Sequence, residues 1–284
     1  MNRAGIRYER YKEQDYRVAR ELLSQDDAGE NMLRVFEREP QLFISVFIED
    51  QLAALAQVNE PGTLSYLTVY VAPLFRRQGI GSAVVRYAEE KLRTGGTEKV
   101  RSSFRANYPS TLTFAHKLGY GDYFSSSLMR RTGGPFPMEK LEELPVRSYT
   151  DQDYTASQSL YAEAFHEMRV RVGSFPDSVV AQPSEQERRS WLEDAQDRFV
   201  YVLNGEIAAY AHLSTGEISS ISVRSDLQGH GIGKTFMRYL CNEIYRRGYA
   251  NVDLWCVVGN NARILYDRLG FEEKYTMQFV RKTL

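Results

Sequence analysis

Two short glycine runs carry the most chemical information in this 284-residue chain. They are Arg76-Arg-Gln-Gly79-Ile-Gly81 and Gln228-Gly229-His230-Gly231-Ile232-Gly233. Each follows an apolar, strand-like run and opens an amphipathic, helix-like one. Glycines at such a junction let the backbone turn sharply and let a ligand come close to its N–H groups. A helix start adds donors that lack an intrahelical partner, and the positive end of the helix dipole. Together these suit a phosphate or pyrophosphate; the plainer alternative is a tight strand-to-helix turn with no ligand. A dinucleotide fingerprint needs a third glycine where Val84 and Phe236 stand. A P-loop, whose ending Gly233-Lys234-Thr235 is present, needs its first glycine where Gln228 stands.

Other chemistries find less support. Cys241 and Cys256 lack the spacing of a disulfide framework or a structural zinc site, and His116, His166, His212 and His230 are scattered, so no metal is expected. With 36 Lys+Arg against 37 Asp+Glu, the net charge is -1, without the basic excess of a nucleic-acid binder. No apolar run approaches the ~20 residues of a membrane span. The N-terminus is charged from Arg3 and has no signal-peptide core. A cytoplasmic protein with no nucleic-acid or membrane partner is expected, as a monomer or homodimer.

The elements that must carry the two loops occur twice in the same order. Tyr11-Lys-Glu-Gln-Asp-Tyr16 returns as Tyr149-Thr-Asp-Gln-Asp-Tyr154, the glycine run recurs 152 residues on, and Leu118-Gly119-Tyr120 returns as Leu269-Gly270-Phe271. The first motif recurs after only 138 residues, so about 14 extra residues belong in the second copy, within 160–195. Ile80, Ala83, Val84, Tyr87 and Ala88 fall on one helix face, as do Ile232, Phe236, Tyr239, Leu240 and Ile244. Asn204-Gly205, between two apolar runs, predicts a type I′ hairpin. Strands are predicted before each loop, at 64–71 and 218–223, and after each loop helix, at 100–104 and 252–257. Further helices at 110–118 and 261–269 lead to closing strands at 123–130 and 275–281. The Gly/Pro-rich stretch Thr132–Pro137 separates the copies. This gives domains at 1–132 and 145–284, joined by a linker at 133–144 with a short helix over Met138–Leu144. The expected class is α/β (α+β): two tandem domains, each a mixed, mostly antiparallel sheet flanked by helices.

At these residues the chain resembles the GNAT acetyltransferase superfamily, whose signature is a strand ending in valine followed by Q/R-x-x-G-x-G/A. Val71-Ala-Pro73-Leu-Phe-Arg76-Arg-Gln-Gly79-Ile-Gly81 and Val223-Arg-Ser-Asp-Leu-Gln228-Gly-His-Gly231-Ile-Gly233 are similar to it. So is Asn260-Asn-Ala262-Arg-Ile-Leu-Tyr266-Asp-Arg-Leu-Gly-Phe271 to the family's later motif, although its asparagine usually stands where Gly259 is. The resemblance spans nearly the whole chain as two domains in tandem. It implies acetyl-CoA as the cofactor, its pyrophosphate held by loop N–H groups and its pantetheine arm between splayed strands. Carried onto this chain, the cofactor residues are Ile221, Val223, Gln228, Gly229, His230, Gly231, Ile232, Gly233, Lys234 and Asn260. In the first copy they are Val71, Arg76, Gly79, Gly81 and Ser82.

The resemblance also implies where acid and base stand. Acetyl transfer to an amine needs a proton acceptor for the ammonium and a donor for the leaving thiolate. The family's base position, six residues before the terminal valine, holds Glu217 in the second copy and Ser65 in the first. The family's tyrosine acid corresponds to Tyr266, against Ala115 in the first copy. The second copy is therefore expected to be catalytic and the first degenerate. The expected activity is acetyl transfer to a primary amine, on a small molecule or a peptide, by direct attack in a ternary complex. The alternatives are acylation of an amino sugar conjugate, resembling mycothiol synthases, and a non-catalytic acyl-CoA sensor.

Overall fold

The computed structural model describes residues 5–137 and 144–284. The linker helix expected over Met138–Leu144 falls almost wholly outside the described residues. Contacts group the chain into two compact units, Met1–Tyr123 with Met277–Leu284, and Phe124–Thr276.

The first unit runs β1 (Ile6–Arg10), α1 (Tyr16–Leu23), α2 (Glu30–Phe36), β2 (Phe43–Ile48), β3 (Gln51–Val58), β4 (Leu64–Val71), α3 (Ile80–Thr94), β5 (Lys99–Arg105), α4 (Pro109–Lys117) and the start of β6 (Gly121–Arg131). β1 to β4 pair antiparallel in sequence order, and β4 meets β5 in parallel only over Leu64–Tyr66. Beyond Tyr66 the two strands part. One face of the sheet is covered by α1 and α2 through Ala19, Leu23, Met32 and Phe36; the other by α3 through Ile80, Val84, Ala88 and Leu92. All of these side chains are buried, which is why the helical periodicity was visible in the sequence.

The second unit takes up β6 and continues with β7 (Val146–Ser148), α5 (Tyr154–Val172), α6 (Glu185–Glu193), β8 (Arg198–Leu203), β9 (Glu206–Ser214), β10 (Glu217–Val223), α7 (Ile232–Arg246), β11 (Val252–Val257), α8 (Arg263–Arg268) and most of the way into β12 (Glu272–Thr283). β7 to β10 are antiparallel neighbours, and β10 meets β11 in parallel at Glu217 and Ile218 alone. The predicted hairpin turn is present, with Asn204 at φ 52° and Gly205 at φ 81°. The predicted insertion is visible as well. α5 has 19 residues against 8 in α1, and a longer connection leads from it to α6.

The closing strands depart from the expected boundary at 132. Residues 126–131 of β6 pair antiparallel with Val252–Val257 in the second unit. Residues 277–283 of β12 pair antiparallel with Lys99–Arg105 in the first. Each copy's last strand thus completes the other copy's sheet. Met129 is fully buried in the second unit's core and Val280 in the first's. The two slots beside β5 and β11 are alike, so the alternation of apolar residues does not say which strand fills which. Among the described residues no helix is long and apolar enough to cross a membrane.

Candidate active site

In the second unit the residues after β10 form a tight loop into α7. Gly229 and Gly231 adopt φ 81° and 87°, a region open to glycine and costly for side chains. A Cβ built on Gly231 meets nothing within 4 Å, so the backbone there is open to a ligand. Gly233 is different: its Cβ position lies 3.6 Å from Val223 and 3.7 Å from Leu265, in ordinary packing. Gln228 closes the loop by donating from Nε2 to the Val223 carbonyl at 3.1 Å, and the His230 ring lies 3.0 Å from the Gln228 carbonyl. Ile232 is buried and anchors the helix, while Ile221 and Val223 pack against the same core. Lys234 is exposed on the first turn of α7.

Above this loop lies a V-shaped gap. β10 leaves β11 after Ile218, and its register against β9 shifts between Ile218 and Ser220. A bulge bends a strand away from its neighbour and frees backbone groups. Glu217 stands at the foot of the V, opposite Asp253. Burial pushes its carboxyl above the usual range, the Asp253 charge adds to this, and a hydrogen bond from the Trp255 side chain works the other way. Asp253 is itself held by Arg130 through two bonds of 2.7 and 2.6 Å. Sequence reading missed Trp255; its place two residues after Asp253 on one strand, and so on the same face, was the available signal.

Tyr266 lies on α8 in the core behind β11, near Cys256 and the Phe271 ring. Burial raises its phenol well above the ordinary value, so it keeps its proton at neutral pH. The Cys256 thiol, held in the same core, is pushed up to about 11 by burial, which leaves it a poor nucleophile. Cys241 is likewise buried on α7 and pushed up to about 12. Asn260 is engaged locally, its side-chain oxygen accepting from the Ala262 N–H at 3.0 Å, as in an Asx turn. Its expected part beside the pantetheine arm has no support from this geometry.

The first unit repeats the loop with changes. Gly79 keeps φ 83° and open space, a Cβ built on Gly81 would lie 3.3 Å from the Phe114 ring, and Ser82 follows on the first turn of α3. The place of Gly229 is taken by Arg77 at φ 63°. Arg76 donates to the Val71 carbonyl at 2.8 Å, as Gln228 does to Val223. At the acid and base positions, Ala115 is buried, and the Ser65 hydroxyl donates to the Glu60 carbonyl at 2.7 Å.

Comparison with known proteins agrees with this geometry. The model of the acetyltransferase (GNAT) family matches residues 7–120 and again residues 146–271. The chain therefore belongs to the GNAT acetyltransferase family, with two copies of the domain in tandem. A mycothiol acetyltransferase of Salinispora arenicola is 27% identical over 241 residues, 78% of this chain and 74% of the relative. Among solved structures, a GCN5-related N-acetyltransferase from Sphaerobacter thermophilus has a TM-score of 0.75 at 23% identity, covering 98% of this chain and 95% of that one. A tandem GNAT protein from the clavulanic acid biosynthesis pathway has a TM-score of 0.62 at 15% identity, covering 98% of each chain. The two structures share the fold.

Proposed function

We propose that the protein is an acetyl-CoA-dependent N-acetyltransferase whose chemistry resides in the C-terminal unit. The observation that carries this reading is the opened V between β10 and β11, with the Gly229–Gly231 loop at its mouth and Glu217 at its foot. Backbone N–H groups of the loop and the first turn of α7 hold the pyrophosphate of acetyl-CoA. The freed edge of β10, at Ile221 and Val223, faces the pantetheine arm. When bound, acetyl-CoA supplies the thioester. Glu217 takes a proton from the acceptor ammonium, directly or through water. The free amine then forms a bond to the thioester carbon, the carbon–sulfur bond breaks, and Tyr266 gives its proton to the departing thiolate. Holding amine and thioester in contact supplies a further share of the rate.

Acceptor-panel acetylation, read as free CoA release with mass detection of product, tests this reading. Acetyl-CoA binding without turnover on any amine would make the protein an acyl-CoA sensor instead. The likeness to a mycothiol acetyltransferase favours including amino sugar conjugates in the panel beside peptide and small-molecule amines.

Two expected results follow from the site. A base must be ionised to act, so activity falls as pH drops through the raised pKa of Glu217. That acidic limb should lie above the usual carboxylate range in a kcat/KM profile. Glu217→Gln should abolish the limb and lower kcat by about 10²–10⁴-fold; an unchanged profile would assign the limb to another group. The second result concerns the insertion. Its Phe175 ring packs on Phe124 at 4.8 Å and under Arg169, and Val172 lies 3.8 Å from a Cβ built on Gly259 at the end of β11. Shortening residues 169–180 should raise the acceptor KM and leave acetyl-CoA affinity unaltered. Steady-state kinetics with the acceptor varied would show the reverse if the insertion served only acetyl-CoA.

A further inference from the structure

The N-terminal unit has the same parted strands, but a stretch of its own chain spans them. Three carboxylates, Asp26, Asp27 and Glu30, lie at the join of α1 and α2. Asp26 accepts from the Arg76 Nη2 at 2.6 Å, and Arg76 in turn holds the carbonyl of Val71, the last residue of β4. Glu30 pairs with Arg105, the last residue of β5, and Asp27 lies 3.7 Å from the same guanidinium. Asp27 also accepts a hydrogen bond from the Tyr108 hydroxyl, just before α4. One short acidic segment is therefore tied to the ends of both β4 and β5, beyond the point at Tyr66 where their pairing stops. The Arg105 side chain is only 13% exposed, so its pairing is less screened than that of a surface pair.

The C-terminal unit lacks the cations for this connection. At the corresponding positions, 152 residues on, Arg76 is replaced by neutral Gln228 and Arg105 by Val257, and neither Gly259 nor Asn260, before α8, supplies the phenol of Tyr108. The difference is chemical as well as mechanical. Arg76, at the start of the first loop, is already paired with the Asp26 carboxylate. Carboxylates beside it would repel a pyrophosphate.

We propose that Asp26, Asp27 and Glu30 form an internal strap that closes the splayed strands of the N-terminal unit against acetyl-CoA, so that the chain has one acetyl-CoA site. The site count rests on the reading of the C-terminal loop above; the strap itself does not. Two measurements on the full chain test it. Calorimetric titration of acetyl-CoA should give one site per wild-type chain, lost in Gly231→Val; two sites in the wild type, with one surviving in Gly231→Val, overturn the strap. Amide hydrogen exchange of an Asp26→Asn/Asp27→Asn/Glu30→Gln variant should speed up by about five- to tenfold over residues 67–71 and 102–108, with residues 124–276 unaffected. Exchange equal to wild type overturns the proposal. If the triple variant fails to fold, Asp26→Asn alone should show the same change confined to residues 71–77, and its absence there overturns the strap. A wild-type chain silent to acetyl-CoA defeats the acetyltransferase reading alone, and the exchange pattern still decides the strap.

Discussion

A Gly231→Val chain should fold and lose acetyl-CoA binding by about 10²–10⁴-fold, the equivalent of two charge-assisted hydrogen bonds at about 1.5–3 kcal/mol each. Two features set this size. Gly231 sits at φ 87°, where a β-branched residue is strained, so the loop must shift and its N–H groups re-aim. Its Cβ direction is empty, so the new side chain would stand where the phosphate approaches. Gly233→Val is a useful contrast. That glycine has no positive φ, and its Cβ would touch Val223 and Leu265, so the substitution works through packing and should weaken binding less. Calorimetry on both variants, with circular dichroism to confirm folding, separates the two effects. Unchanged affinity in a folded Gly231→Val chain would remove this loop from the cofactor site.

Tyr266→Phe should lower kcat by about 10²–10⁴-fold while acetyl-CoA affinity stays within a few-fold of wild type. The phenol keeps its proton because it is buried, which is the state an acid needs. The ring packs in the core and the substitution keeps the ring, so thermal stability should change little. A loss confined to kcat marks an interaction made in the transition state. Ala115→Ser, at the equivalent place in the first unit, should leave turnover unaffected. Wild-type kcat in Tyr266→Phe together with a slow Ala115→Ser would move the active site to the other half of the chain.

The parts of this molecule legible in the sequence are those in which a local rule meets a buried face. Ile80, Val84, Ala88 and Leu92 repeat at helical spacing because all four are buried on one side of α3. Asn204-Gly205 forms its turn because positive φ is needed at both residues. The two loops were legible for the same reason. Other parts follow from tertiary choices. α2 has seven residues and buries only Met32 and Phe36, too few for a periodic signal, and α6 buries only Trp191. Asn260 stands one residue after the family's asparagine position, and its oxygen is engaged by the Ala262 N–H two residues on. The ion pairs of Asp26, Asp27 and Glu30 join residues 50 to 81 apart, a separation no window of the sequence reports. The destination of the closing strands was hidden because both candidate slots accept the same alternation.

That exchange of strands bears on why a first copy with Ser65 and Ala115 in place of Glu217 and Tyr266 persists. Residues 126–131 are a strand of the sheet that holds Glu217, hydrogen-bonded along the whole of β11. Deleting the first copy would strip that strand away, leaving β11 with unpaired N–H and C=O groups and an invitation to aggregate. On the proposed reading, the first copy is thus not baggage carried alongside an enzyme: its last strand is covalently a piece of the sheet that holds the base.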